Sequence, residues 1–559
     1  MEIYPFLYSI DPRPFLESVK QFLFSINPRI VWPGALVVLF MVGAATVTRV
    51  VTLNPDSRSL QIVKSCGFVI ILVIVAAQIA IAGSYLFYPG YLDHVEAINT
   101  AVSWLGWEGY PLYPSLDTGD VYGVPYGPLL YQAHGLLLYI LGPSIEDSKI
   151  LGLVAFVASP ILSFFVLRRR GATVAEALAI TSVQCTVQAD FNNQAIVFGV
   201  RADPLLFIFA QTAILVATSV PSVLGSAALG LLGGISAGLK IHGMLYIFPA
   251  FIYFLFRADP LSVRIRLMVV AGVAGILVLA APFLTNNASI VEYTSYLRIL
   301  SGQHPWERWL FEKNIVFATM GVIPLVWIYA CFTPTLPRAV WWFVTSIVIS
   351  IAIVSYIASF DGAGPYHLLP FLPSLAWAFF VICHEASSRL RDSRSRGVYE
   401  GISLGLIFAL LLGYGPFVIV SWGRTLNTFA NAALLHEGIA EIDKALDDHP
   451  EQKIAVGPGV EPAYQLRVIP VFRGNPLPLD SSAWMNFKAQ GISDQVVRRA
   501  IRECRVDLWL LPSGPLFATT SFYDGRNLYS AEVLADFRAT FVKQASGQIF
   551  DQWECKRLH

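Results

Sequence analysis

The segment YPGYLDHVEAINTAVSWLGWEG, residues 88–109, leaves an apolar run and at once presents Asp93, His94, Glu96 and Glu108, with no lysine or arginine among them. A carboxylate at the edge of a bilayer is costly unless it is paired or used. Within hydrogen-bond reach of a hydroxyl it can serve as a general base. The same residues have a structural reading. Asp93-x-x-Glu96 ahead of a helical run is close to a capping box, with Asp93 as N-cap and Glu96 reaching back to the backbone. Local sequence favours the cap. The loop beyond it adds to the case for chemistry, running on through GYPLYPSLDTGDVYGVPYGPLLY, rich in Tyr, Gly and Pro. That composition builds a structured groove rather than a short connector. Glu96, Tyr113 and Tyr126, with His367 from further along the chain, are candidates to line it.

Three further places carry residues of interest. In GVRADPLLFIF, residues 199–209, Asp203-Pro204 reads as an N-cap followed by proline at the first helical position. The tetrapeptide Arg-Ala-Asp-Pro recurs at 257–260, so on its own it is punctuation. Lys240 and His242, in AGLKIHGML, lie between two apolar runs. A lysine there either snorkels to the interface or holds a phosphate as a point charge. His367, in GPYHLLPFLP, starts another apolar run, where an ordinary interfacial histidine is the plainer reading. Arg298 falls in 292–314, EYTSYLRILSGQHPWERWLFEKN, which reads as an amphipathic helix on a membrane surface.

The elements that must position these residues are membrane spans. The chain has 559 residues, 55% hydrophobic and 14% charged, where a soluble chain carries about a quarter charged. Apolar runs near the ~20 residues of a spanning helix fall at 31–53, 66–88, 148–167, 173–188, 203–220, 223–239, 241–256, 266–285, 315–332, 339–358, 366–383 and 402–422. The chain therefore reads as a polytopic α-helical membrane protein of about twelve spans, with edges uncertain by a few residues. The run 127–142 is short and begins Gly-Pro, and reads as an interfacial or re-entrant helix. The first thirty residues lack the pattern of a cleavable signal peptide. Net charge is zero, so bulk charge points to no partner, nucleic acid included.

Orientation follows from lysine and arginine in short loops. One set holds Arg49, Arg58, Lys64, Arg168, Arg169, Arg170, Arg257, Arg264, Arg266, Arg338, Arg389, Arg391, Arg394 and Arg396; the alternate set holds only Arg201, Lys240, Arg298, Arg308 and Lys313. The richer set is expected in the cytosol. Asp93, Asp203, Lys240 and His367 then share the outer side. Three parts follow: an N-terminal segment 1–65 with one extra span, a transmembrane domain 66–423 with a large outer loop 89–147, and an outer α/β domain 424–559. In the last, EGIAEIDKALDD and SDQVVRRAIREC read as helices, and KIAVG and VDLWLLP as buried strands. The six cysteines match no metal spacing, and Cys504 and Cys555 are placed to pair in the outer domain. Asp117 and Asp120 could help to bind a divalent cation, but two carboxylates are too few to claim one, and the sequence points to no certain cofactor.

The order LDHVEAINTAVSWLGWEGYPLYP, YGPLLYQAHGLLLYILGPS, SKILGLVAFVASPILSFFVLRRRG, RADPLLFIFAQTAILVA, GGISAGLKIHGMLYIFPAFIYFLFR and YHLLPFLPSLAWAF resembles the GT-C fold glycosyltransferases that use polyprenyl-phosphate sugars, including the aminoarabinose-transferase, protein-mannosyltransferase and Rgt-like families. It covers roughly 66–385. The resemblance implies a GT-C-like fold in a bacterial inner or plasma membrane. It implies transfer of a sugar from a polyprenyl-phosphate donor to a hydroxyl of a lipid-linked glycan, lipid or protein, with inversion and among membrane lipids. It carries the base onto Asp93, a second catalytic acid onto Asp203, and donor-phosphate binding onto Lys240. Many relatives have Asp-Glu where Asp93-His94 stands, and some place an arginine soon after, which is missing here. That leaves Arg201, His242 or Arg298 to assist the phosphate. Cations are expected on the departing phosphate and away from the base, whose pKa they would lower. A transporter or flippase would instead show mid-span ionisable residues and internal repeats; a non-catalytic scaffold would not need so aromatic a loop.

The topology is checked with reporter fusions at Gly119 and Gly514. Both should report the outer compartment; opposite answers would shift the span count by one and separate the two domains.

Overall fold

A computed structural model of the chain describes residues 58–389 and 418–558, apart from 116–118, 125, 190–193, 221, 259, 302–304, 333–335, 460–461, 522 and 524. The expected span 31–53 and most of 402–422 lie outside these residues, as does Asp117.

The chain builds α1 (Arg58–Leu86), α2 (His94–Trp107), α3 (Pro128–Leu141), α4 (Ile145–Arg169), α5 (Val174–Ala189), α6 (Ala202–Ser219), α7 (Ser222–Leu239), α8 (Met244–Phe256), α9 (Leu261–Ala280), α10 (Ile290–Ser301), α11 (Arg308–Phe332), α12 (Arg338–Ile357) and α13 (Leu372–Arg389). Among the described residues six helical stretches are long and apolar enough to cross a membrane: Ile145–Arg169, Ala202–Ser219, Ser222–Leu239, Leu261–Leu284, Arg338–Ile357 and Pro365–Glu385. Shorter apolar stretches lie at Leu72–Leu86, Pro128–Leu141 and Met244–Phe256. The run expected to be interfacial or re-entrant is α3, a helix with proline in its first turn. Along α9 the side chains of Val269, Val273, Ile276 and Leu277 are exposed. Such an apolar strip suits lipid and not water.

Glycine sets how closely two helices approach. A Cβ on Gly230 would meet the Ala271 carbonyl, and one on Gly234 the Gly275 carbonyl. Small residues one turn apart thus let α7 and α9 pack backbone to backbone, the device by which helices associate where lipid removes the hydrophobic drive.

The C-terminal part contains the expected helices, now α14 (Ala432–Asp448) and α16 (Gln495–Arg502), with α15 (Ser481–Ala489) and α17 (Ala531–Thr540) beside them. Its sheet has the order β1-β2-β4-β3. The expected strands are β1 (Ile454–Val456) and β2 (Leu508–Pro512), paired in parallel. β3 (Phe541–Ser546) and β4 (Phe550–Cys555) add an antiparallel edge. These two were not expected, because Phe541–Ser546 has five residues partly or fully exposed and lacks a buried run. Cys504 and Cys555 form a disulfide that ties the turn two residues past α16 to the end of β4.

Non-reducing peptide mapping should recover the Cys504–Cys555 cross-link. Cys185 and Cys383 are buried outside the disulfide and should react with maleimide only after unfolding. Two labelled cysteines in the native outer domain would rule out the bridge.

Candidate functional site

The start of α2 is the expected capping box. Asp93 Oδ1 accepts from the backbone N–H of Val95 at 3.0 Å and of Glu96 at 3.1 Å, and Glu96 Oε2 accepts from Leu92 N at 2.8 Å and Asp93 N at 3.1 Å. The second oxygen of each carboxylate leaves the helix. Glu96 Oε1 accepts from Val200 N at 3.0 Å and from the Tyr85 hydroxyl. Asn99 donates to Val200 O at 2.7 Å. The extended stretch 199–201 is therefore strapped onto α2. Gly199 must be glycine, since a Cβ there would meet Glu96 Oε1 and the Ala195 carbonyl.

That strap delivers Arg201. Its guanidinium donates to Asp93 Oδ2 at 2.8 Å, across 108 positions of sequence, and approaches the Tyr126 hydroxyl at 3.4 Å. Two positions on, Asp203 accepts from Lys240 Nζ at 3.0 Å. Lys240 immediately follows α7, and its neighbour is fixed because Gly127 N donates to Leu239 O at 3.0 Å. A Cβ on Gly127 would meet the Gly238 carbonyl, so glycine here lets the first loop lie against the end of α7 and brings Tyr126 beside Lys240. The Tyr366 ring lies 5.9 Å from the Arg201 guanidinium and 5.4 Å from Lys240 Nζ, and Tyr126 lies 5.8 Å from Lys240 Nζ. Next to this group the rings of His242 and His367 meet at 5.1 Å, and Tyr366 stacks on His367 at 4.3 Å.

Several expectations are corrected. The helix after Arg201 begins at Ala202, and Asp203 makes no capping bond; its carboxylate serves the ion pair instead. Cations were expected away from Asp93, yet Arg201 is bonded to it. Glu96 and Tyr113 do not line a groove. Glu96 is fully enclosed, and Tyr113 is 2% exposed with its hydroxyl donating to Tyr126 O at 2.7 Å. Arg298 is exposed on α10, unlike the buried Arg201 and Lys240. Asp120 pairs with Arg505 at 2.8 Å. Tyr366 and Tyr85 were missed; the one signal for Tyr366 was its place beside His367.

Burial dominates the electrostatics. It raises the Glu96 carboxyl, assisted by the Asp93 charge, against the pull of the Tyr85 hydroxyl and the N–H groups of Val200 and Leu92. It lowers Lys240, with Asp203 opposing. It pushes His242 down to about 3, with Lys240 adding to the shift, so that ring is neutral. The site thus holds two anions matched by two cations. An entering anion would find Arg201 and Lys240 already side by side under one tyrosine.

Spans, first loop and C-terminal sheet together define an integral membrane protein of the GT-C fold, the fold of polytopic membrane glycosyltransferases. The chain is similar to ArnT, an aminoarabinose transferase, from Cupriavidus metallidurans. Its apo crystal structure matches with a TM-score of 0.52 and 12% identity over 88% of this chain and 98% of ArnT. The structure of ArnT bound to undecaprenyl phosphate matches with the same score and identity over 86% and 97%. An oligosaccharyltransferase from Archaeoglobus fulgidus, crystallised with Zn and sulfate, matches at 0.42 and 12% identity over 86% and 72%. No protein-family model and no curated protein matches the sequence.

Gly199→Ala should force a methyl into the Glu96 carboxylate and cost at least ~2 kcal/mol, read as early thermal aggregation of the detergent-solubilised protein. Gly233→Ala, whose Cβ meets nothing within 4 Å, should be neutral or slightly stabilising. Equal stability of the two variants would mean that the strap has slack.

Proposed function

We propose that the chain is a membrane glycosyltransferase that moves a sugar from a polyprenyl-phosphate donor to an acceptor hydroxyl on the extracytoplasmic face, with inversion. The observation that carries this reading is the pair of buried cations, Arg201 and Lys240, within 6 Å of one ring and each bonded to its own carboxylate. Two supports come from elsewhere. ArnT, of the same fold, binds undecaprenyl phosphate. The Cys504–Cys555 bridge suits an oxidising compartment.

The chemistry runs as follows. The donor phosphate enters between Arg201 and Lys240 and competes with the carboxylates for them. As the guanidinium turns to the phosphate, Asp93 Oδ2 loses its cation and becomes a stronger base. The acceptor hydroxyl attacks the anomeric carbon from the face opposite the phosphate. The new C–O bond forms as the bond to the phosphate oxygen breaks. The hydroxyl proton passes to Asp93, and the electron pair stays on the phosphate, where the two cations stabilise it. Asp93 sits at the opening, with its side chain 11% exposed, whereas Asp203 is fully covered behind Lys240. Asp203 accordingly holds Lys240 in place and keeps it charged. The rings of His242 and His367 complete the wall.

Purified protein is incubated with a panel of polyprenyl-phosphate sugars, and release of lipid phosphate is read. Asp93→Asn retains the cap but takes no proton, and turnover should fall at least ~100-fold. Lys240→Met should raise the donor Kd about ten- to a hundredfold, the loss of one charge-assisted contact. Lys313→Met, at an exposed position, should change little. Near wild-type turnover in Asp93→Asn would overturn the assignment of the base.

A further inference from the structure

The outer domain does more than cover the loop. Its segment 464–480 reaches the backbone on both sides of Asp93. Gln465 Oε1 accepts from Tyr91 N at 3.2 Å, and Arg467 donates to His94 O at 2.7 Å. Tyr464 packs edge-on against the His94 ring. The approach at Gln465 is so close that a Cβ on Gly90 would meet its amide oxygen. Arg467 is anchored in turn by Asp480, both buried. Asp480 N donates to Val121 O at 2.7 Å, and Val121 N donates to Pro478 O at 2.8 Å. The same segment therefore also holds 120–122, the start of the stretch that ends at Tyr126.

We infer that Gln465 and Arg467 are positioning residues, through which the outer domain sets the Asp93 carboxylate against Arg201. This rests on the reading of Asp93 as the base. The backbone N–H of Tyr91 and carbonyl of His94 bracket the turn from which Asp93 projects. Holding one on each side fixes the direction of its Cα–Cβ bond. The capping box alone holds the turn to α2 but leaves α2 and the turn free to tilt together. The clamp from 465 and 467 removes that freedom, because its anchor at Asp480 belongs to another part of the fold. Without the clamp the helix start would persist while the carboxylate drifts, and a displacement near 1 Å costs up to ~10²-fold in rate.

The test uses the full chain in detergent. Gln465→Met keeps side-chain length and removes the acceptor. Amide exchange in 90–96 should speed up at least tenfold, and kcat should fall about tenfold with the donor KM unchanged. In an Asp93→Asn background the same change should cause no further fall, since Gln465 acts through Asp93. Gln465→Glu keeps an acceptor oxygen and should restore both exchange and kcat. Arg467→Lys keeps charge for Asp480 but loses the fork that also reaches His94 O, and should behave like Gln465→Met; it serves where Gln465→Met does not fold. Unchanged exchange in both variants overturns the clamp. A fall in kcat of equal size in the Asp93→Asn background overturns the positioning role and leaves general damage. If the wild-type protein turns over no polyprenyl-phosphate sugar, the proposed function fails. The exchange arm then decides the clamp alone.

Discussion

The Glu96 carboxylate is the contact on which the site depends. It accepts from two N–H groups at the start of α2, from the Val200 N–H that leads to Arg201, and from the Tyr85 hydroxyl at the end of α1. Three parts of the chain, the most distant of them 104 positions from Glu96, are thereby held to two oxygen atoms. The anionic form suits this role, because an ionised carboxylate only accepts, at about four lone-pair sites. Burial works against the ion, and four donors repay it. Lys149 reinforces the same corner. It donates to the Tyr85 carbonyl at 3.0 Å and to that of Tyr88, and its ammonium lies 4.6 Å from the Tyr85 ring. A helix end with carbonyls open to it is where a cation is favoured.

Around that anchor the charges are arranged in matched pairs. A buried ion pair gives little net stability, yet removing one member leaves an uncompensated charge at a cost of about 3–5 kcal/mol. Arg201 with Asp93 and Lys240 with Asp203 are such pairs, so each carboxylate holds a cation that burial alone would disfavour. The pairing of Arg201 with Asp93 departs from the expectation that cations stand clear of that carboxylate.

Much of this was legible in the sequence because it is local. The capping box is read from Asp93 and Glu96 alone. The apolar runs give the helices, and their spacing gives α14, α16, β1 and β2. Lys240 and Asp203 stood out as charges at the ends of apolar runs. What was not legible is long-range. Asp93 meets Arg201 only after the strap at Gly199 has formed, and no local pattern announces an ion pair between positions so far apart. Asp203 looked like a cap because Asp-Pro usually is one; Lys240, 37 positions away, takes its carboxylate instead. Glu96 looked half-free because a capping box uses only one of its oxygens. Tyr366 carries no motif at all.

The two aspartates raise the same question, and burial separates them. The Asp93 side chain is 11% exposed, while the Asp203 side chain is fully covered. Its Oδ2 has no hydrogen-bond partner among the described residues. A carboxylate with an unmatched buried oxygen is an unfavourable arrangement in isolation. It is tolerable here because Lys240 supplies the counter-charge at Oδ1. The arrangement gives Lys240 a firm but incomplete hold. The ammonium has three donors, and one of them goes to Asp203 Oδ1 at 3.0 Å. Arg201 has the opposite setting. Its partner Asp93 is already tied to α2 by two N–H groups, so the guanidinium can depart while the carboxylate stays where it is. The two ion pairs thus differ in what else holds the anion: a helix start holds Asp93, and burial around the pair holds Asp203.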